Sequence, residues 1–210
     1  MSEANRKMKW QQEGAENPLN GNTALCEAAL DVFSTYSFGE ASLNDIIKAA
    51  GMNKGSFYYR FYDKMDLYLS LFQRLSIEKL KLFEQYDDTN TEDDFFTSIR
   101  KKAILGIRFA RKEPRYTALS RRFLTEELSF RETVIDVFGG VTENVLLRMV
   151  EEAQAKGQVR HDISVQMMAE VFAILLERID KVITPAMDDD EVLIKIDELI
   201  TVLRDGTAVE

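Results

Sequence analysis

The spacing of apolar residues between very few prolines is the feature that most constrains the fold. Pro18, Pro114 and Pro185 are the only prolines among 210 residues, and proline is the residue that interrupts a helix most strongly. Between them, apolar residues recur at three- and four-residue spacings rather than alternating, which is the period of amphipathic helices. The pattern therefore predicts an all-α fold.

Start and stop signals divide the chain into individual helices. Ser42, Asn53 and Asp63 are residues that commonly cap helix N-termini, and Gly51 is placed to end one helix and form a turn. Pro114 suits the first turn of a helix, because its missing N–H would have no partner there. The predicted helices cover about 22–36, 42–50, 53–61, 63–86, 94–110, 114–124, 129–156, 164–184 and 188–203.

The scarcity of cysteine and histidine limits the chemistry that the chain can perform. Cys26 is the only cysteine and His161 the only histidine, so Cys/His metal centres and Ser-His-Asp triads have almost nothing to be built from. Glu126 and Glu127 are carboxylates without a visible catalytic pairing. We therefore expect no enzymatic activity, no metal and no cofactor. No apolar run is long enough to cross a bilayer, and we expect a cytoplasmic protein without a membrane partner.

Charge is distributed unevenly along the chain. The formal net charge is −9, and residues 151–210 alone contribute −8, with fourteen acidic and six basic residues. Residues 98–122 have the opposite balance, with nine basic residues and one acidic residue. Such a segment is typical either of a solvated helix face that balances acidic neighbours, or of a surface that faces phosphates or an anionic ligand. Both alternatives stay open at this point.

Residues 42–61 contain the clearest functional pattern. Two short predicted helices are joined by a tight turn at Gly51, which is the arrangement of a helix-turn-helix. Phe57 and Phe61 lie four residues apart and are expected to face the core together with Met52. The same spacing leaves five side chains of the second helix more exposed: Lys54, Ser56, Tyr58, Tyr59 and Arg60.

Three neighbouring features suit contact with DNA. Gly55 lacks a side chain, so its helix can approach a base or phosphate closely, at a cost of about 1 kcal/mol in helix propensity. Lys64 lies in the first turn of the next predicted helix, where an ammonium and backbone N–H groups can hold a phosphate together. Upstream, Arg6, Lys7 and Lys9 form a candidate flexible basic arm.

These residues resemble the helix-turn-helix of the TetR family of bacterial transcriptional regulators. The resemblance covers about residues 22–72. It rests on an ordered series of positions: the capping Ser42, the apolar pair Ile46 and Ile47, Ala50-Gly51-Met52 at the turn, Gly55-Ser56-Phe57-Tyr58 in the recognition helix, then Phe61 and Lys64. Further on, Gly157, Arg160 and Asp162 look like the family's connection into its dimer-forming helices.

The resemblance implies a three-helix DNA-binding domain over residues 17–66 and a helical effector-binding and dimerisation domain over residues 67–210. The recognition helix is expected in the major groove of a palindromic double-stranded DNA operator, with Tyr58 and Lys64 on phosphates. The residues expected to bind DNA are Ser42, Asn53, Lys54, Gly55, Ser56, Tyr58, Tyr59 and Lys64. Residues 17–66 carry four basic and six acidic residues, so we expect modest affinity that depends on specific contacts.

The rest of the chain is expected to form a homodimer and to bind a small molecule. The two C-terminal predicted helices have apolar faces wider than one side of a small domain can cover, which indicates a homodimer formed through them. By resemblance, an apolar or amphipathic effector enters a cavity among the middle helices and releases a repressor from its operator. The candidate ligand-binding residues are Tyr68, Phe72, Phe109, Phe123, Phe138 and Met149. Ordinary core packing is the competing interpretation of these residues, and a ligand-binding or interaction module without operator binding is the alternative function.

Overall fold

The computed structural model describes residues 7–86, 93–138, 141–177, 179–184 and 186–207. In this part of the chain, helices are joined by turns and loops without any β-strand, which confirms the predicted all-α fold. None of these helices is both long and apolar enough to span a membrane. The helices are α1 (Lys9–Gln12), α2 (Thr23–Thr35), α3 (Leu43–Ala49), α4 (Lys54–Arg60), α5 (Lys64–Tyr86), α6 (Phe95–Lys112), α7 (Pro114–Thr125), α8 (Leu128–Phe138), α9 (Val141–Ala155), α10 (Val165–Glu177), α11 (Ile179–Val182) and α12 (Asp189–Thr207).

Local capping explains where several helices begin. The Asn22 side chain accepts a hydrogen bond from the backbone N–H of Leu25 at 3.0 Å, one turn into α2. The Asp63 carboxylate accepts one from the N–H of Asp66 at 2.9 Å at the start of α5. Pro114 occupies the first turn of α7. Each of these residues satisfies or removes an N–H that has no partner inside its own helix.

Two predicted long helices each contain residues that the structure does not describe. The helix predicted over 129–156 corresponds to α8 and α9, and residues 139 and 140 between them lie outside the described residues. The helix predicted over 164–184 is α10 and α11, and residue 178 between them is not described either.

The short helix α1 was not expected from the sequence, which predicts a polar N-terminal segment. Met8 and Trp10 are both buried, at 1% and 7% exposure. The indole N–H of Trp10 donates to the Ser70 hydroxyl at 2.8 Å. Burial of these two large side chains, rather than helix propensity, stabilises a helix this short.

The described residues form two compact units. Unit 1 comprises Met1–Lys81 and Lys112–Gly139, and unit 2 comprises Leu82–Arg111 and Gly140–Glu210. The core of unit 1 includes Leu25, Ala29, Phe33, Ile46, Phe57, Phe61, Leu67, Leu71, Leu119 and Val134. The core of unit 2 includes Ile99, Ala103, Val150, Ala153, Met168, Phe172, Val192, Ile196 and Ile200. The boundary expected at residue 66 concerns function, and α5 continues through it.

Candidate nucleic-acid interface

The turn between α3 and α4 has the hydrogen bonding of a Schellman motif. Gly51 has a φ of 63°, a left-handed conformation that glycine adopts without strain. Its N–H donates to the carbonyl of Lys48, and the N–H of Met52 donates to the carbonyl of Ile47, both at 3.0 Å. These bonds satisfy carbonyls at the end of α3 and direct the chain into α4. The predicted helix-turn-helix is therefore present, with Gly51 at the position that requires it.

The inner and outer faces of α4 are divided as its residue spacing predicts. Phe57 and Phe61 are fully buried, with ring centroids 5.2 Å apart. On the opposite face, Tyr58 is 49% exposed and Tyr59 78% exposed. Lys54 and Gly55 are also exposed, whereas Ser56 and Arg60 are half-buried. The outer face of α4 thus presents one cation, two phenol rings and a side-chain-free position to solvent.

Ser42 and Asn53 use their side-chain oxygens to cap helices. The Ser42 hydroxyl accepts from the N–H of Asp45 at 3.2 Å, and the Asn53 amide oxygen accepts from the N–H of Ser56 at 2.8 Å. A β-carbon added to Gly55 would lie 3.3 Å from that same Asn53 oxygen. The capping functions expected of both residues are therefore confirmed, while their contacts with DNA stay predictions.

Lys64 is held by the protein itself. Its ammonium donates to the carbonyls of Phe38 at 2.5 Å and Ala41 at 2.8 Å, and lies 4.5 Å from the Phe38 ring centroid. Burial lowers the pKa of this ammonium, and the nearby Glu126 carboxylate opposes that shift. The backbone N–H of Phe38 donates to Glu126 at 2.6 Å, which fixes the same loop from α7. This geometry favours a structural role for Lys64 and leaves one N–H for the phosphate contact that the sequence predicts.

A second lysine, Lys9, which the sequence predicts in a flexible arm, contacts the C-terminal end of the recognition helix α4. The Lys9 ammonium donates to the carbonyls of Tyr58 at 2.9 Å and Tyr59 at 2.8 Å. The expectation of a flexible arm at Lys9 is therefore wrong, because the buried Met8 and Trp10 fix this segment. Those two apolar residues in a polar segment were the signal that could have revealed it.

Comparison with known proteins places this interface in a family. The family described as "Bacterial regulatory proteins, tetR family" matches residues 25–71, which span α2, α3, α4 and the start of α5. This part of the chain is similar to the TetR family. The chain is a DNA-binding transcriptional regulator, as the ordered positions of its helix-turn-helix predict.

Relatives and solved structures extend the similarity beyond residues 25–71. Over 157 residues, the chain is 27% identical to the "Probable acrEF/envCD operon repressor" of Escherichia coli strain K12, covering 71% of this chain and 70% of that protein. A TetR family transcriptional regulator from Chloroflexus aurantiacus J-10-FL is 25% identical, with a TM-score of 0.69 over 92% of this chain and 95% of its own. FadR from Bacillus subtilis, solved with stearoyl-CoA, shares the fold at 16% identity, with a TM-score of 0.70 over 88% and 98% of the two chains.

The six residues expected from the sequence to line an effector cavity fall in both units. Tyr68, Phe72, Phe123 and Phe138 belong to unit 1, where they pack in or against its core. The Tyr68 ring lies 4.9 Å from Phe72, and Phe72 lies 5.5 Å from Phe123, between centroids. Burial raises the pKa of the Tyr68 phenol. Phe109 and Met149 belong to unit 2 and are half-buried.

An apolar groove lies within unit 2 and contains none of the predicted ligand-binding residues. Its lining comes from α6, α10, α11 and α12: Ile99, Ala103, Phe172, Leu175, Ile179, Ile196, Leu199, Ile200 and Leu203. Sequence reasoning assigned these aliphatic residues to helix cores. No periodic signal distinguishes a core position from the wall of an open groove.

The basic segment of residues 98–122 forms several ion pairs within the units to which its residues belong. In unit 2, Arg100 pairs with Asp197 and lowers the pKa of that carboxyl, and Arg111 pairs with Asp189. In unit 1, the Arg115 guanidinium contacts three carboxylates, with nitrogen–oxygen distances of 2.5 Å to Asp31, 2.6 Å to Glu113 and 2.7 Å to Glu27. These ion pairs support the solvated-face interpretation of the segment over a phosphate-binding one.

Proposed function

We propose that this TetR-family regulator is a cytoplasmic repressor that binds a palindromic operator as a homodimer and leaves it when a small molecule binds. The observation that carries the proposal is the outer face of α4. On that face Lys54, Gly55, Tyr58 and Tyr59 are exposed around a buried Phe57. Side chains at the N-terminal end of a recognition helix are the ones that reach base edges. The curated relative, named an operon repressor, supports repression rather than activation.

Exposed apolar residues of α10 and α12 support dimerisation through the two C-terminal helices. Met167, Val171 and Ile174 are spaced four and three residues apart on α10, and each is more than 40% exposed. On α12, Ile194 and Val202 are 58% and 71% exposed. Single exposed apolar residues are ordinary, whereas a stripe along one helix face indicates a contact surface. Ile174→Asp is expected to shift the protein from dimer to monomer in analytical ultracentrifugation, with Ile135→Asp in unit 1 as the matched control.

The proposed effector is a small apolar or amphipathic molecule that binds among the predicted aromatic residues of unit 1. Tyr68 packs against Phe38 with centroids 5.3 Å apart, and the Phe38 carbonyl holds Lys64. A ligand that separated these two rings would also move the Phe38 carbonyl away from Lys64. Lys64 begins α5, which follows directly after the recognition helix. FadR from Bacillus subtilis is solved with stearoyl-CoA, which supports an effector with an apolar chain.

Selection from random DNA duplexes at low salt tests operator binding. Enrichment of one palindrome is the expected result, and enrichment of none would support the alternative of a ligand-binding or interaction module without an operator. A thermal-shift screen of metabolites and drugs then tests the effector, because a ligand that binds only the folded state raises the unfolding temperature. Phe72→Ala is expected to remove that shift. If Ala103→Trp removes the rise in unfolding temperature instead, the ligand binds in the groove of unit 2.

A further inference from the structure

The C-terminal end of α4 has two carbonyls whose described partner lies outside the helix. The carbonyls of Tyr58 and Tyr59 lie in the last turn of α4, where backbone acceptors have no intrahelical donor. Both accept from the Lys9 ammonium, at 2.9 and 2.8 Å. A cation at this position also interacts favourably with the negative end of the helix dipole. Lys9 thus caps the recognition helix from a segment 49 residues earlier in the chain.

The backbone N–H of Lys9 is also held, by the Asp66 carboxylate. Its N–H lies 3.3 Å from both oxygens of the Asp66 carboxylate, which is fully buried and also accepts from the N–H of Tyr62 at 2.9 Å. The neighbouring Trp10 is anchored to Ser70 on α5. Asp66 therefore joins three parts of the chain: α1, the residues after α4, and the first turn of α5.

The same ammonium lies near aromatic rings that border the proposed DNA-binding face. Lys9 Nζ is 5.9 Å from the ring centroid of Tyr59 and 5.5 Å from that of Tyr62. Tyr59 is 78% exposed, so few other contacts restrict its ring. At these distances a cation attracts the face of a phenol ring. Lys9 is consequently in contact with both the end of the recognition helix and the side chain expected to select bases.

We propose that Lys9 is a positioning residue for DNA recognition. In this arrangement, α1 holds the C-terminal end of α4 and restrains the Tyr59 ring, so that the helix enters the major groove in a single orientation. The inference rests on the proposed operator binding through α4. A restrained reading surface binds its target more tightly because less conformational freedom is lost on association. Lys9 itself contacts neither base nor phosphate.

The test compares Lys9→Met, Lys9→Arg and the matched control Lys156→Met in the full chain, with the operator obtained by selection. Lys9→Met is expected to weaken operator binding by roughly tenfold and to reduce the preference for operator over random DNA, without changing the salt dependence of binding. Lys9→Arg restores most of the affinity, because a guanidinium also donates to two carbonyls. Lys156 is exposed in unit 2, and Lys156→Met is expected to leave the operator preference unchanged.

Fluorescence of Trp10, the only tryptophan, shows in the same samples whether α1 remains docked. We expect wild-type emission in Lys9→Met, because Met8 and Trp10 remain buried. Unchanged operator affinity in Lys9→Met would overturn the inference. So would a salt slope reduced by about one with unchanged preference, since that is the signature of a lost phosphate contact. If the wild-type protein itself selects no operator, the proposed function fails instead, so the two failures are distinguishable.

Discussion

The basic segment of residues 98–122 pairs Arg100, Arg111 and Arg115 with carboxylates of their own unit, whereas Lys48 and Lys54 of the helix-turn-helix are exposed to solvent. Arg115 alone contacts three carboxylates in unit 1. Lys48 and Lys54 are exposed, and neither forms an ion pair with any residue that the structure describes. The segment with nine basic residues therefore offers less free positive charge than its composition suggests. The helix-turn-helix region has a net charge of −2 and still exposes these two lysines.

Net charge is therefore a poor guide to a nucleic-acid interface. Binding to phosphates depends on cations that can release counterions from DNA, and a cation already neutralised by a carboxylate contributes little to that release. Local geometry decides which cations remain available. The following predictions test whether the two regions differ as described.

The largest effect is expected from Tyr59→Ala. Removal of the exposed ring takes away a base contact, so operator affinity should fall about 30-fold, and a repeated selection should give a changed base preference. The free energy of unfolding should stay unchanged, because the ring is 78% exposed. Tyr36→Ala is the matched control, since Tyr36 is also exposed but lies outside the predicted contact set. Equal losses in the two variants would contradict a specific role for Tyr59.

Gly55→Ala separates stability from function. Alanine should raise the free energy of unfolding by up to about 1 kcal/mol through helix propensity, reduced by the contact of the new β-carbon with the Asn53 cap. Operator affinity should nevertheless fall about tenfold, because the added methyl keeps α4 away from the DNA. Urea unfolding and fluorescence anisotropy measure the two quantities. An unchanged affinity would show that Gly55 does not face the operator.

Arg115→Met tests the basic segment of residues 98–122. The guanidinium joins α2 to α7 through Glu27 and Asp31, and its loss should lower the free energy of unfolding by about 1 kcal/mol, since the cluster is partly exposed. Operator affinity should remain within about twofold of wild type. A large loss of affinity at unchanged stability would mean that this segment contacts DNA.

The pH dependence of that stability difference sharpens the test. The hydrogen bond from Arg115 lowers the pKa of the Glu113 carboxyl below its ordinary value. A carboxyl with a depressed pKa in the folded state contributes stability above its ordinary pKa, and this contribution is lost as the pH falls through the folded-state value. The difference between wild type and Arg115→Met should therefore be constant from pH 7 to about pH 5 and shrink below about pH 4. A constant difference down to pH 3 would exclude the Glu113 contribution.

Local features of this chain were predictable from its sequence, and contacts distant in sequence were not. Capping by Ser42 and Asn53, the turn at Gly51 and the burial of Phe57 follow from neighbours within a few residues. The partners of Lys9 and Lys64 depend on loops and helices brought together by folding. The periodic pattern of the sequence does not show them. For the same reason, the basic segment could be recognised but its carboxylate partners could not.

The central claim is that the exposed face of α4, rather than the more basic segment, binds the operator. The most direct measurement is the operator affinity of Lys54→Met and Arg111→Met, determined side by side over a range of salt concentrations. Lys54 is free of ion pairs with the described residues, whereas Arg111 pairs with Asp189. The account predicts a loss of about tenfold or more for Lys54→Met and a change of less than about twofold for Arg111→Met. The reverse order, with a reduced salt slope only in Arg111→Met, would contradict it.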